Sequence, residues 1–150
     1  MIIGERNRFA IQFELDASSR VPYGMCYLWV DGNILGDPGD KIFFTSVADN
    51  LMRRVPKYKK MPKDFDVENG KSLWESLVNY RDSFDWKYTI LVVEGFDGFE
   101  VFLFQSESGV YVLVWKDKDA CVPVISQIDR EYFDEVVTEF NRFVYSVFPD

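Results

Sequence analysis

Side chains that move protons, attack carbonyl or phosphoryl groups or hold metals are the natural place to begin, and here histidine is missing: none occurs in 150 residues. The commonest general base, the commonest metal ligand and every histidine-activated nucleophile are lost with it. Two cysteines, Cys26 and Cys121, stand far apart in the chain and cannot supply the clustered ligands of a zinc site. Each lies in an apolar, strand-like stretch, so both read as buried thiols rather than a disulfide framework.

Two segments imitate known sites. Gly70-Lys71-Ser72 copies the end of a phosphate-binding loop, but that loop requires glycine five positions before Gly70, where Phe65 stands. The segment from Asp64 to Glu75 has oxygen-bearing residues at loop positions one, three, five and twelve of an EF-hand. Asn69 replaces its turn glycine, however, Lys71 occupies a position that is usually apolar, and Pro62 disfavours an entering helix. Neither motif holds, and no catalytic residue, metal or cofactor is assigned. A two-carboxylate hydrolase remains open by composition alone, since acids are plentiful, but paired carboxylates need a cleft to hold them.

Charge is informative by its distribution. The net charge is −8; residues 1–75 balance 11 basic against 11 acidic side chains, whereas residues 76–150 carry 6 basic and 14 acidic. An acidic half argues against nucleic acid as a partner, because phosphate binding releases counterions from a net positive surface. It favours a basic partner instead. The basic run Arg53, Arg54, Lys57, Lys59, Lys60 and Lys63 is the exception, and reads as a solvated helix end and loop.

Elements that would position these groups are legible from period and punctuation. Phe9, Ile11, Phe13 and Leu15 alternate with Ala10, Gln12 and Glu14 as a half-buried strand. Tyr23 to Val30 is a second strand, returned by the hairpin signal Asp31-Gly32. Val47, Ala48, Leu51, Met52 and Val55 recur at helical spacing behind the candidate caps Thr45 and Ser46, with Pro56 as the stop. Ser72 and Glu75 make a capping box for a second helix bearing Leu73, Trp74, Leu77 and Val78, with Trp74 in the core.

Period two returns at Tyr88 to Val93, Phe99 to Gln105, Val110 to Trp115 and Ala120 to Ser126, with turn clusters between, and Pro123 assigns the last of these to an edge. The final stretch is an amphipathic helix with Phe133, Val136, Val137, Phe140, Phe143, Val144 and Val147 on one stripe, Asp134 and Glu135 facing away, and Asp129 as its cap. The sum is one α+β domain over residues 1–150: an antiparallel, meander-type sheet with about three helices, the C-terminal helix packed on one face. No run has signal-peptide or bilayer-spanning length, so a cytoplasmic protein that keeps off membranes is expected.

The stretches Met1 to Gly4, Arg8 to Leu15 and Cys26 to Gly32 with Gly36-Asp37, then Glu94 to Gly98, Val101 to Leu103, Val114 to Lys116 and the aromatic C-terminal helix, together resemble the immunity protein 42 family of bacterial polymorphic toxin systems. The resemblance covers residues 1–37 and about 94–148, and its most specific part is the N-terminal block. It implies a non-enzymatic cytoplasmic protein that neutralises a cognate toxin by stoichiometric occlusion. Many such toxins are nucleases with basic faces, which suits an acidic inhibitor. A non-catalytic adaptor or scaffold domain with another partner is the competing reading.

Within the acidic half, Glu94, Phe96, Asp97 and Glu100 place an aromatic at an expected hairpin tip among three acids, the combination of anchor and charge that suits partner binding. The alternative is that Phe96 folds back onto the sheet and the acids serve solubility.

Overall fold

A computed structural model describes residues 1–54, 61–62 and 65–147. Strand β1 (Ile2–Gly4) pairs with β2 (Phe9–Leu15), which pairs with β3 (Tyr23–Val30), all antiparallel. Asp31 and Gly32, both at positive φ (48° and 79°), form the two-residue turn that returns β3 into β4 (Asn33–Leu35). Strand β5 (Lys41–Phe43) pairs with the other end of β3, completing the first sheet. A second sheet, in the order β6 (Phe99–Gln105), β7 (Tyr111–Asp117) and β8 (Val124–Ile128), is also antiparallel. The period-two segments thus divide between two sheets. Strand β8 is an edge strand as expected, but it runs from Val124 to Ile128 rather than from Ala120 to Ser126, so Pro123 stands just outside it and costs the ladder no N–H.

Among the described residues three helices accompany the sheets: α1 (Phe44–Arg54), α2 (Gly70–Asp82) and α3 (Arg130–Val147). Phe133, Val136, Val137, Phe140 and Val144 of the α3 stripe are buried and Phe143 is partly buried, and α3 packs on β1, β2 and α1. Phe133 touches Phe9 of the first sheet (ring centroids 4.5 Å apart) and Tyr111 of the second (5.3 Å), which makes α3 the joint between the sheets. Its first turn is pinned by Tyr132, whose hydroxyl donates to the Phe9 carbonyl (2.9 Å) and accepts from the Glu5 N–H (2.7 Å). Asp129 Oδ1 accepts the Tyr132 N–H (2.9 Å), the expected cap.

The second sheet is apolar on both faces because both are covered. Val101, Leu103, Leu113 and Trp115 face the main core, while Phe102, Phe104, Val112 and Val114 face α2 through Leu73 and Leu77. Trp74 is partly buried against this second cluster, edge-on to Phe102 at 5.2 Å.

Four local expectations are corrected. The cap of α2 is Asn69, whose Oδ1 accepts the Ser72 N–H (3.1 Å), so the helix starts before the expected capping box. Tyr88 to Val93 forms only an isolated bridge, Thr89 to Phe102, because Leu91 turns to φ 55° and gives its N–H to Asn50 Oδ1 (2.6 Å) instead of a ladder. Of the cysteines only Cys26 is buried; Cys121 lies exposed in the turn before β8, and both are free thiols. Asp134 does not face fully outward: it is half-buried beside Tyr111, and desolvation raises its carboxyl above the usual range and pushes the Tyr111 hydroxyl up to about 12.

Candidate functional site

The loop from Glu94 to Gly98 is held from both sides of the molecule. On one side the Asp37 N–H donates to the Gly95 carbonyl (3.0 Å), and on the other the Lys118 N–H donates to the Gly98 carbonyl (2.9 Å). Between them the chain turns twice, Phe96 N–H to Val93 O and Phe99 N–H to Phe96 O. The turns fold the Phe96 ring inward, fully buried, beneath Gly36. Gly36 adopts φ +109°, and a Cβ there would stand 2.9 Å from the ring, so glycine is required both for the backbone and for the ring below it. Phe96 is therefore the post that supports the loop. It offers no exposed ring at a hairpin tip, and with Tyr88 to Val93 out of the ladder the loop is not a hairpin.

The acids divide by role. Glu94 and Asp97 are exposed, whereas Glu100 is half-buried and paired with Arg81 of α2 (3.1 Å). All four residues singled out by the sequence nevertheless line one open groove of about 500 Å³. Its apolar lip carries Trp86 and Val92, 45% and 59% exposed, neither of which the sequence pattern had marked. A second depression of about 520 Å³ shares Asp97 and Lys118 with the first and adds Asp37, Asp40, Asp117 and Asp119. Around the two hollows, seven carboxylates stand against Arg81 and Lys118. Asp37 and Asp40 come from the charge-balanced half of the sequence, and the Asp37 to Gly95 hydrogen bond together with the seat of Gly36 on the Phe96 ring brings their loop here.

The arrangement suits binding of a basic surface. The half-buried carboxylate whose pKa burial raises, Asp134, stands on α3 beside Tyr111 and outside both hollows. Asp16, on the far end of the first sheet, is held well below the usual carboxylate range by hydrogen bonds from Lys41 (2.6 Å) and Ser18. Among the described residues no group of three or more carboxylates or thiols stands close enough to hold a metal ion. In the EF-hand-like segment, Asp66 Oδ1 accepts the Glu68 N–H, Asn69 Oδ1 caps α2, and Glu75 lies within that helix; Asp64 lies outside the described residues. Phe65, where a phosphate-binding loop needs glycine, packs its ring against Phe104 at 5.2 Å. Of the basic run, Arg53 and Arg54 end α1, and Lys57, Lys59, Lys60 and Lys63 lie outside the described residues. No helix among the described residues is long and apolar enough to cross a membrane.

No curated protein and no solved structure matches the chain. One family does, through its model, across residues 1–143, which include both sheets, the 94–98 loop and most of α3. The chain belongs to the immunity protein 42 family.

Proposed function

We propose that this immunity protein binds and neutralises a cognate toxin of a bacterial polymorphic toxin system, one inhibitor covering one toxin domain, in the cytoplasm of the cell that makes both. The contact face is the groove around Glu94, Asp97 and Glu100, with Phe96 acting from beneath as the support of the loop. The toxin surface that fits is basic, as the substrate face of a nuclease is. The chain performs no catalysis in this role, since occlusion needs only affinity and position.

The observation that carries the proposal is the pair of adjoining hollows lined by seven carboxylates against two cations, in a chain of the immunity family. Opposed charge of this kind accelerates encounter and selects against partners of like charge. Co-expression with the toxin encoded by a neighbouring reading frame is the direct test. Cells are expected to survive induction of the toxin when this protein is present. Undiminished killing by every adjacent candidate toxin would sink the proposal.

A further inference from the structure

Helix α2 ends at Ser83 with two hydrogen bonds that define its exit: the Phe84 N–H donates to the Arg81 carbonyl (3.0 Å) and the Asp85 N–H to the Tyr80 carbonyl (2.9 Å). This is the six-to-one and five-to-two pairing of a Schellman motif, in which the residue after the cap takes a left-handed conformation and glycine is the usual choice. Phe84 takes it, at φ 60°. A β-carbon is disfavoured there, and the ring recovers nothing by burial within the chain, because Phe84 is 87% exposed. Folding alone gives no reason for a phenyl group at this position.

Two residues on, Trp86 lines the acidic groove, with Val92 beside it on the same lip. Nearby cations are already engaged within the chain: Lys87 pairs with Asp85 (3.0 Å) and lies over the Tyr80 ring, and Arg81 pairs with Glu100. The exposed carboxylates of Glu94 and Asp97 are left to set the charge beside the aromatic lip. An exposed ring at the helix exit, two residues before a tryptophan that lines an acidic groove, fits a partner surface that carries an apolar hollow edged with lysine and arginine, and aromatic anchors in such settings dominate protein interfaces.

We infer that Phe84 and Trp86 form the apolar anchor that this protein inserts into its toxin, beside the acidic groove; the inference rests on the toxin-binding function proposed above. It moves the aromatic contact from Phe96, which is buried, to the exit of α2.

The test is Phe84→Gly, with Phe84→Asn as a second substitution that tolerates the left-handed backbone. Thermal unfolding and the dissociation constant for a catalytically disabled cognate toxin are measured on each. Both variants are expected to melt at or above the wild-type temperature while binding the toxin about tenfold more weakly or worse. Toxin affinity within about twofold of wild type for both variants would overturn the anchor. Should the wild-type protein bind none of the neighbouring toxins, the immunity function itself fails and the anchor falls with it. If the wild type binds and the Phe84 variants bind equally well, only the anchor falls.

Discussion

Phe96 sits between Gly95 and Asp97 in a run of turn-forming residues, and local chemistry alone would leave it at the surface. What buries it is distant in sequence: the bare backbone of Gly36, over which no side chain intervenes. No periodicity within residues 94–100 carries that information, so the acids of the candidate site were legible and the ring's direction was not. Truncating the ring removes a fully buried aromatic from the core. Phe96→Ala is expected to lower unfolding free energy by about 3–5 kcal/mol, read from the urea midpoint at unchanged slope. A loss below about 1 kcal/mol would mean that the loop collapses onto the space and is not propped by the ring. Val92, expected inside a strand, reaches the groove lip for a related reason. Its segment leaves the ladder at Leu91, where the N–H goes to Asn50 on α1, and a side-chain acceptor on another element has no signature in a local window.

Among the elements, those whose signal is repeated along their own length were legible. The stripe on α3 from Phe133 to Val144 runs over about three turns and lies on the helix's buried face, and Asp31-Gly32 needs only two residues to fix its turn. At the start of α2 the sequence signal is Ser72 with Glu75 as a capping box, whereas the structure caps the helix three residues earlier, at Asn69. The reason is geometric: Asn69 remains extended (φ −111°, ψ 90°), and Leu73, whose N–H bonds to the Asn69 carbonyl (2.9 Å), must reach the cluster under the second sheet. Asn69→Ala is therefore expected to cost about 1 kcal/mol of stability, while Ser72→Ala, inside the helix, costs less than about half of that. Equal losses in the two variants, compared by denaturant unfolding, would return the cap to Ser72. The division of the strands into two sheets was hidden because β6 and β7 are apolar on both parities; that pattern announces two covered faces without saying which element covers each.

At the scale of the whole molecule the acidic half of the sequence resolves into two separate surfaces. One is the pair of hollows around Asp97, where Asp37 and Asp40 of the first half join Asp117 and Asp119. The other is the outer face of α3, with Glu131, Glu135 and Glu139 beside Arg142. Part of the second has an ordinary structural cause, since acids early in a helix are favoured by its dipole, and it needs no partner to explain it. The first draws its carboxylates from several separate segments of the chain; Asp37 and Asp117 each close a local turn by accepting the N–H two residues on, and Glu100 pairs with Arg81, which leaves the carboxylates of Asp40, Glu94, Asp97 and Asp119 without a hydrogen bond or ion pair among the described residues. At physiological ionic strength charges act over a Debye length of about 8 Å, so the two faces should steer a basic partner independently. Reversing charge at exposed Asp97 and Asp119 together is expected to slow association with the toxin about tenfold and to flatten its dependence on salt, leaving dissociation much less changed. Reversing Glu135 and Glu139 on α3 is expected to alter association by less than about threefold. Stopped-flow association at several salt concentrations separates the two, and a larger effect from the α3 pair would move the contact face to that helix.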